Sequence, residues 1–212
     1  RNIPKAFRYN AINCVETWSN QHWRSWSNQT FNGYIATLDT ATDLKNQHPS
    51  SLISHFSKNT KSQISRSSKF IEKQFGQINM HWLNTDDVDL ALSEMGNLHI
   101  EQWENHDYGS GFTNSQFVDF HRKFMLRGLP QGLNKNSTTI ETDASASKGV
   151  HLAKFTAGDL TLGYLYFFTH KHQVYFYLSA INYHSNDNKY KPGLLMHKLA
   201  MTHFSELGYT HY

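Results

Sequence analysis

The spacing of apolar positions changes along the chain, and each change marks an element. From Val150 onward, apolar runs of strand length alternate with turn residues, at 150–155, 160–168 and 174–181. Runs of this kind predict strands. The last two are separated by His170-Lys171-His172 alone, which predicts an antiparallel hairpin. Val174, Phe176, Leu178 and Ala180 alternate with Tyr175, Tyr177, Ser179 and Ile181, so neither face is plainly polar. That pattern predicts a central strand covered by helices on both sides. Leu195, Met196, Leu199, Ala200, Phe204 and Leu207 then share one helical face between Lys191-Pro192-Gly193 and Gly208, and 209–212 opens another strand.

Helical spacing dominates the preceding part. Residues 50–75 read as a helix closed by Gly76. Turned at about 100° per residue, Lys58, Lys61, Arg66, Lys69 and Lys73 form one broad stripe that only Glu72 interrupts. Ile64, Ile71 and Phe75 take another face. A short strand at 78–83 leads to Thr85-Asp86-Asp87, which would cap a helix running to about residue 104 with Leu92, Met95, His99 and Trp103 on one face. A Gly-punctuated loop follows at 106–112. Asn114 or Ser115 caps a third helix, with Phe117, Phe120, His121 and Phe124 inward, ending at Gly128 before Pro130. Residues 131–149 are polar and read as a loop, while 1–33 are aromatic and Asn-rich without a clear period. The order strand, helix, helix, three strands, helix, strand is that of a mixed α/β fold, not of a doubly wound sheet.

Composition narrows the function classes. The chain has 212 residues, 14% of them aromatic, enough for a substantial core. A net charge of +3 is too small to point to DNA. No run approaches the roughly 18 apolar residues needed to span a bilayer. Cys14 is the sole cysteine, so no intrachain disulfide forms, and a cytoplasmic location is expected. The fourteen histidines raise the question of metal. His170 and His172 have no third ligand nearby in sequence, so no metal is expected, and His203 falls on the apolar face of the last helix, where a hydrogen-bonded core role is expected.

The chemistry lies in the segment from Leu160. A strand that enters a helix through a Gly turn offers backbone N–H groups to a phosphate. Lys191-Pro192-Gly193 is such a turn, and it follows a hairpin, unlike the βαβ unit of a dinucleotide-binding domain.

With these elements in order, the chain resembles the GNAT acetyltransferase superfamily. It is most similar to the branch linked to cellulose and exopolysaccharide gene clusters, whose relatives are the FemABX peptidyltransferases. Lys58-Asn59-Thr60-Lys61 with Arg66-Ser67 resembles that branch's basic helix, and His99 with Trp103 its His-x-x-x-Trp. Tyr175 and Tyr177, followed by Tyr190-Lys191-Pro192-Gly193, resemble its Tyr-x-Tyr and Ser-Pro-Gly segments, and Glu206-Leu207-Gly208-Tyr209 its exit into the fifth strand. The pyrophosphate loop departs from the superfamily pattern, keeping only Gly193.

The resemblance implies a mixed, mostly antiparallel twisted sheet flanked by helices. It implies an N-terminal segment over 1–48, the tail of a preceding half, and an acyltransferase domain over 49–212 that stops after its fifth strand. The implied reaction carries an acyl group from acetyl-CoA or another acyl-CoA to an amine, such as an amino sugar of a polysaccharide or envelope precursor. Backbone groups around Ser179, Ala180 and Ile181 would pair with the pantetheine arm. Lys191, Gly193, Leu194 and Leu195 would meet the pyrophosphate. His99, Glu101 and His184 are the candidate bases, unranked. Trp103 would border the acceptor, with Lys61 and Lys69 holding an anionic substrate or the donor's phosphates. Two other classes stay open: a peptidyltransferase using aminoacyl-tRNA, and a non-catalytic module of the same fold that binds a partner.

Overall fold

The computed structural model describes residues 35–38, 56–106, 109–132 and 149–212. From Leu38 onward these belong to one compact unit, Leu38–Tyr212. The expected boundary at 48/49 and most of the loop at 131–149 lie outside the described residues, while the first helix, expected from about residue 50, begins only at Lys58 because Ser57 caps it.

Helix α1, Lys58–Phe75, begins where Ser57 Oγ accepts the Thr60 N–H at 3.1 Å. It ends at Gly76, whose φ of 104° lies in the glycine region and whose N–H returns to the Glu72 carbonyl. Ser67 and Ile71 are buried, with Ile64 half-buried, while Lys58, Arg66, Lys69 and Lys73 are exposed. The stripe is therefore real.

Strand β1, Ile78–Trp82, leads into a cap that sits one residue earlier than expected. Thr85–Asp87 winds into a short 3-10 turn, so Asn84 takes the capping position. Its Oδ1 accepts the Asp86 N–H at 2.8 Å, and the Asn84 N–H in turn donates to Asp87 Oδ2 at 2.9 Å. Helix α2, Val88–Trp103, follows with Ala91, Leu92 and Met95 buried.

Helix α3, Ser115–Gly128, is capped by Asn114, whose Oδ1 accepts the Gln116 N–H at 2.9 Å. Its inward line is Phe117, His121, Met125 and Gly128, at helical spacing. Phe120 and Phe124, expected inside, are 60% and 40% exposed and stack on one another. The inward face is completed on its other side by Val118 and Leu126, so Phe120 and Phe124 fall at its margin, with Phe124 edge-on to Phe168.

Strands β2, Val150–Ala157, β3, Leu160–His170, and β4, Gln173–Ile181, complete an antiparallel sheet of order β1-β2-β3-β4. Helices α2 and α3 cover one face, where Leu92, Met95 and Met125 meet Leu152, Tyr164 and Tyr166. Glu94 of α2 adds a polar tie on that face, accepting from Lys154 at 2.7 Å and from the Tyr164 hydroxyl. Helix α4, Pro192–Glu206, covers the other face, where Phe204 packs on Phe167 and Trp82, with α1 alongside. His203 of α4 packs by its ring against Trp82, with centroids 4.8 Å apart.

Strand β3 is buried from Leu162 to Phe167, whereas β4 meets α2 on one face and α4 on the other, as its pattern predicts, but lies at the edge of the four described strands, not at their centre. In β4 the pairing shifts, Tyr166 opposing Leu178 and Phe167 opposing Phe176, which leaves Tyr177 as an inserted residue. The bulge puts Tyr177 and Leu178 on the same face, toward α2 and α3. The alternation therefore breaks, and Phe176 and Tyr177 are 37% and 42% exposed. At Gly163 β3 comes so close to β4 that a Cβ would lie 2.3 Å from the Ala180 carbonyl oxygen. The expected fifth strand begins to form beyond Gly208. Gln173 and His211 make a parallel bridge, with the Val174 N–H donating to the His211 carbonyl at 2.8 Å.

Candidate functional site

Beyond that bridge, the outer edge of β4 is paired by a side chain. The Asn182 N–H donates to Leu162 of β3 at 2.9 Å. Alternation along a strand turns the preceding N–H, that of Ile181, to the opposite edge. There Gln102 Oε1, from the last turn of α2, accepts it at 3.2 Å. The strand exit is fixed by Asn182 Nδ2 donating to the Thr161 carbonyl and by the Tyr190 hydroxyl donating to the Asn182 carbonyl, each at 2.9 Å.

The start of α4 lies against this strand end, since a Cβ on Gly193 would sit 2.9 Å from Ile181 Cδ1. The fold thus brings Ser179, Ala180 and Ile181 together with the turn from Lys191 to Leu195. Helix α4 has no side-chain cap. The Lys191 N–H donates to Ser67 Oγ of α1 at 3.0 Å. Leu195, expected to offer its N–H outward, instead donates it to the Lys191 carbonyl at 3.4 Å, closing the first helical turn. Pro192 has no N–H, so Gly193 and Leu194 are the first-turn donors for which helix geometry supplies no acceptor.

His99 and Trp103 meet at the end of α2, stacked with centroids 5.8 Å apart and planes 16° from parallel. His99 Nδ1 pairs with Ser110 Oγ at 2.8 Å, Phe112 lies against the His99 ring, and His106 lies against Trp103. Burial lowers the His99 pKa below the usual imidazole value. The other candidate bases stand apart from this cluster. Glu101 is exposed, two residues along α2 and so around the helix from His99. His184 is exposed and edge-on to Phe75.

Lys61 and Lys69 lie on the opposite face of the sheet from Trp103. They line a cleft of about 500 Å³ between α1, β1 and α4, with Ser65, Ser68 and Glu72 on the α1 side and Lys198 on the other. Nothing in the apolar pattern of α4 marks Lys198, because its role depends on a helix more than a hundred residues away. Gln102 was equally hidden, as its partner is a backbone group. Tyr177 and His121 form a further pair, with the hydroxyl and His121 Nε2 3.1 Å apart. His170 and His172 are exposed at the hairpin tip, and no group of three potential metal ligands occurs among the described residues.

A four-stranded antiparallel sheet with β4 held at its edge by a side chain and followed by an uncapped helix gives a frame for comparison. The family model of the acetyltransferase (GNAT) domain matches residues 58–212. The chain belongs to the GNAT acetyltransferase family. GNAT domains generally use acyl-CoA donors, so the match supports acyl transfer as the broad class of activity. No curated protein and no solved structure matches the chain. No helix among the described residues is long and apolar enough to cross a membrane.

Proposed function

We propose that this chain is an acyl-CoA-dependent N-acyltransferase whose acceptor is the amine of an amino sugar in a polysaccharide or envelope precursor. The observation that carries the reading is the junction of β4 and α4. An edge N–H held by a displaceable amide at Ile181 adjoins an uncapped helix N-terminus at Gly193 and Leu194. The donor's arm pairs along 179–181 in place of Gln102, and its pyrophosphate meets the first turn of α4, where free N–H groups and the helix dipole favour an anion.

The cleft lined by Lys61, Lys69 and Lys198 borders the same helix, so the basic stripe serves the donor's phosphates in this reading. The acceptor enters on the opposite face of the sheet, where the His99–Trp103 stack can cover the apolar side of a sugar ring. Holding amine and thioester together removes most of the entropic cost of a bimolecular reaction.

Calorimetry with acetyl-, butyryl- and hexanoyl-CoA tests the reading. Micromolar binding of at least one, with thiol release on adding glucosamine, is the expected result. No heat with any of the three would overturn it in favour of a non-catalytic binding module.

A further inference from the structure

We infer that Ser67 of α1 is a positioning residue for the donor, setting which N–H groups the turn before α4 presents to a pyrophosphate. This rests on the acyl-transfer reading and extends it to a helix that precedes the first strand of the sheet.

Ser67 is fully buried, at 0% exposure. A buried hydroxyl costs stability unless it is hydrogen-bonded. Its Oγ accepts the Lys191 N–H at 3.0 Å, from a segment 124 residues further along the chain.

The choice of that N–H matters. A helix leaves its first four N–H positions without an acceptor of its own. In α4 these positions are Lys191 at the N-cap, then Pro192, Gly193 and Leu194. Pro192 has no N–H to offer. Ser67 takes the N–H of Lys191 and turns it inward, toward α1. Gly193 and Leu194 are left to meet an anion. One hydroxyl on a distant helix thus selects the pair.

The same helix braces the chain just before the turn. Phe75, about two turns along α1 from Ser67, lies edge-on to the Tyr190 ring with centroids 6.0 Å apart. Tyr190 is 3% exposed, and its hydroxyl donates to the Asn182 carbonyl at the exit of β4 at 2.9 Å. The peptide plane between Tyr190 and Lys191 is therefore held by the Tyr190 ring on one side and by Ser67 on the other. A turn fixed before the donor arrives loses less conformational freedom on binding. Without the hydroxyl the plane can rotate, and the next two N–H groups lose their aim.

Ser67 makes no contact with the strand end at 179–181, where the thioester arm is proposed to pair. Its effect should then fall on donors that carry a pyrophosphate and spare those that do not.

The experiment compares thiol release from acetyl-CoA and from S-acetylpantetheine, which has the thioester and the arm but no pyrophosphate, with glucosamine as acceptor. Ser67→Ala should raise the acetyl-CoA KM at least about threefold, on the scale of one lost hydrogen bond. The kcat, the glucosamine KM and the kcat/KM for S-acetylpantetheine, each per folded molecule, should stay within twofold. Should Ser67→Ala fail to fold, Ser67→Cys, whose sulfur is a weak acceptor, takes the same measurement with the same expectation. A rise in the acetyl-CoA KM below threefold, or an equal loss with S-acetylpantetheine, overturns this proposal and leaves the acyl-transfer reading standing. A wild-type protein inert toward both donors overturns that reading with it.

Discussion

Gln102 Oε1 accepts the Ile181 backbone N–H at 3.2 Å, so at rest a side chain occupies the strand edge on which the donor's arm would pair. Binding must then exchange one hydrogen bond for another. Gln102→Ala removes the competitor, and a single such bond nets about 0.5–1.5 kcal/mol. Acyl-CoA should therefore bind about 2- to 10-fold tighter to the variant in calorimetry. Weaker binding would mean that Gln102 contacts the donor itself.

Gly193 separates two effects at the start of α4. Gly193→Ala brings a methyl against the flexible tip of Ile181, which can turn aside. Gly193→Asp adds a carboxylate where the pyrophosphate is proposed to lie. Acyl-CoA affinity should fall at least tenfold in the Asp variant and within threefold in the Ala variant. Equal losses in the two would trace the effect to shape, not charge.

The basic cleft has a predicted salt signature. Charge reversal at Lys61 and Lys69 should raise the donor's KM, steepen with lower ionic strength and leave the acceptor's KM unchanged. An effect confined to the acceptor would move the acceptor to the α1 face.

His99→Gln tests the wall at the end of α2. The substitution loosens the contacts to Ser110 and Trp103, so the variant should melt several degrees lower and show a raised acceptor KM with a near-normal kcat per folded molecule. A tenfold loss of turnover at an unchanged melting temperature would instead give His99 a catalytic role.

Acid should weaken the fold through its buried histidines. His151 is pushed down to about 4 by burial, with neighbouring His203 adding to it, and His197 to about 4 by burial. An unfolded histidine titrates near about 6.5. Between these values the unfolded chain binds protons that the folded chain does not, so stability rises with pH there. It is fully present above about pH 6.5 and lost as pH falls toward 4. Melting temperature should be level from pH 8 to 7 and fall steadily below pH 6.5, with a shallower slope in His151→Gln. A level profile down to pH 5 would contradict the assignment.

The helices, the hairpin and the turn at Gly193 were legible because each depends on local spacing or on one special backbone conformation. Gly76 ended α1 and Asn114 capped α3 for reasons carried within a few residues. The bulge at Tyr177 was not legible, since nothing in 174–181 breaks the alternation; the shift exists only in the pairing with β3. Phe120 and Phe124 misled for a related reason, as which side of the helix turns inward is decided by the sheet it packs on, and that side is the one with Val118 and Leu126. The site divides the same way. The turn at Gly193 and the His99–Trp103 pair could be read along one segment. Gln102, Lys198 and the His121–Tyr177 pair are contacts between distant segments.

Gly163 lies on β3 and offers no side chain to any ligand, yet it sets how near β4 can stand. A methyl there would strike the Ala180 carbonyl and crowd Ile181 Cα, at 2.3 and 3.1 Å, and its φ of 148° disfavours any other residue. The gauge of the proposed donor groove is therefore written into a neighbouring strand. A survey for polar or ionisable residues around the groove would pass over the position on which its width depends.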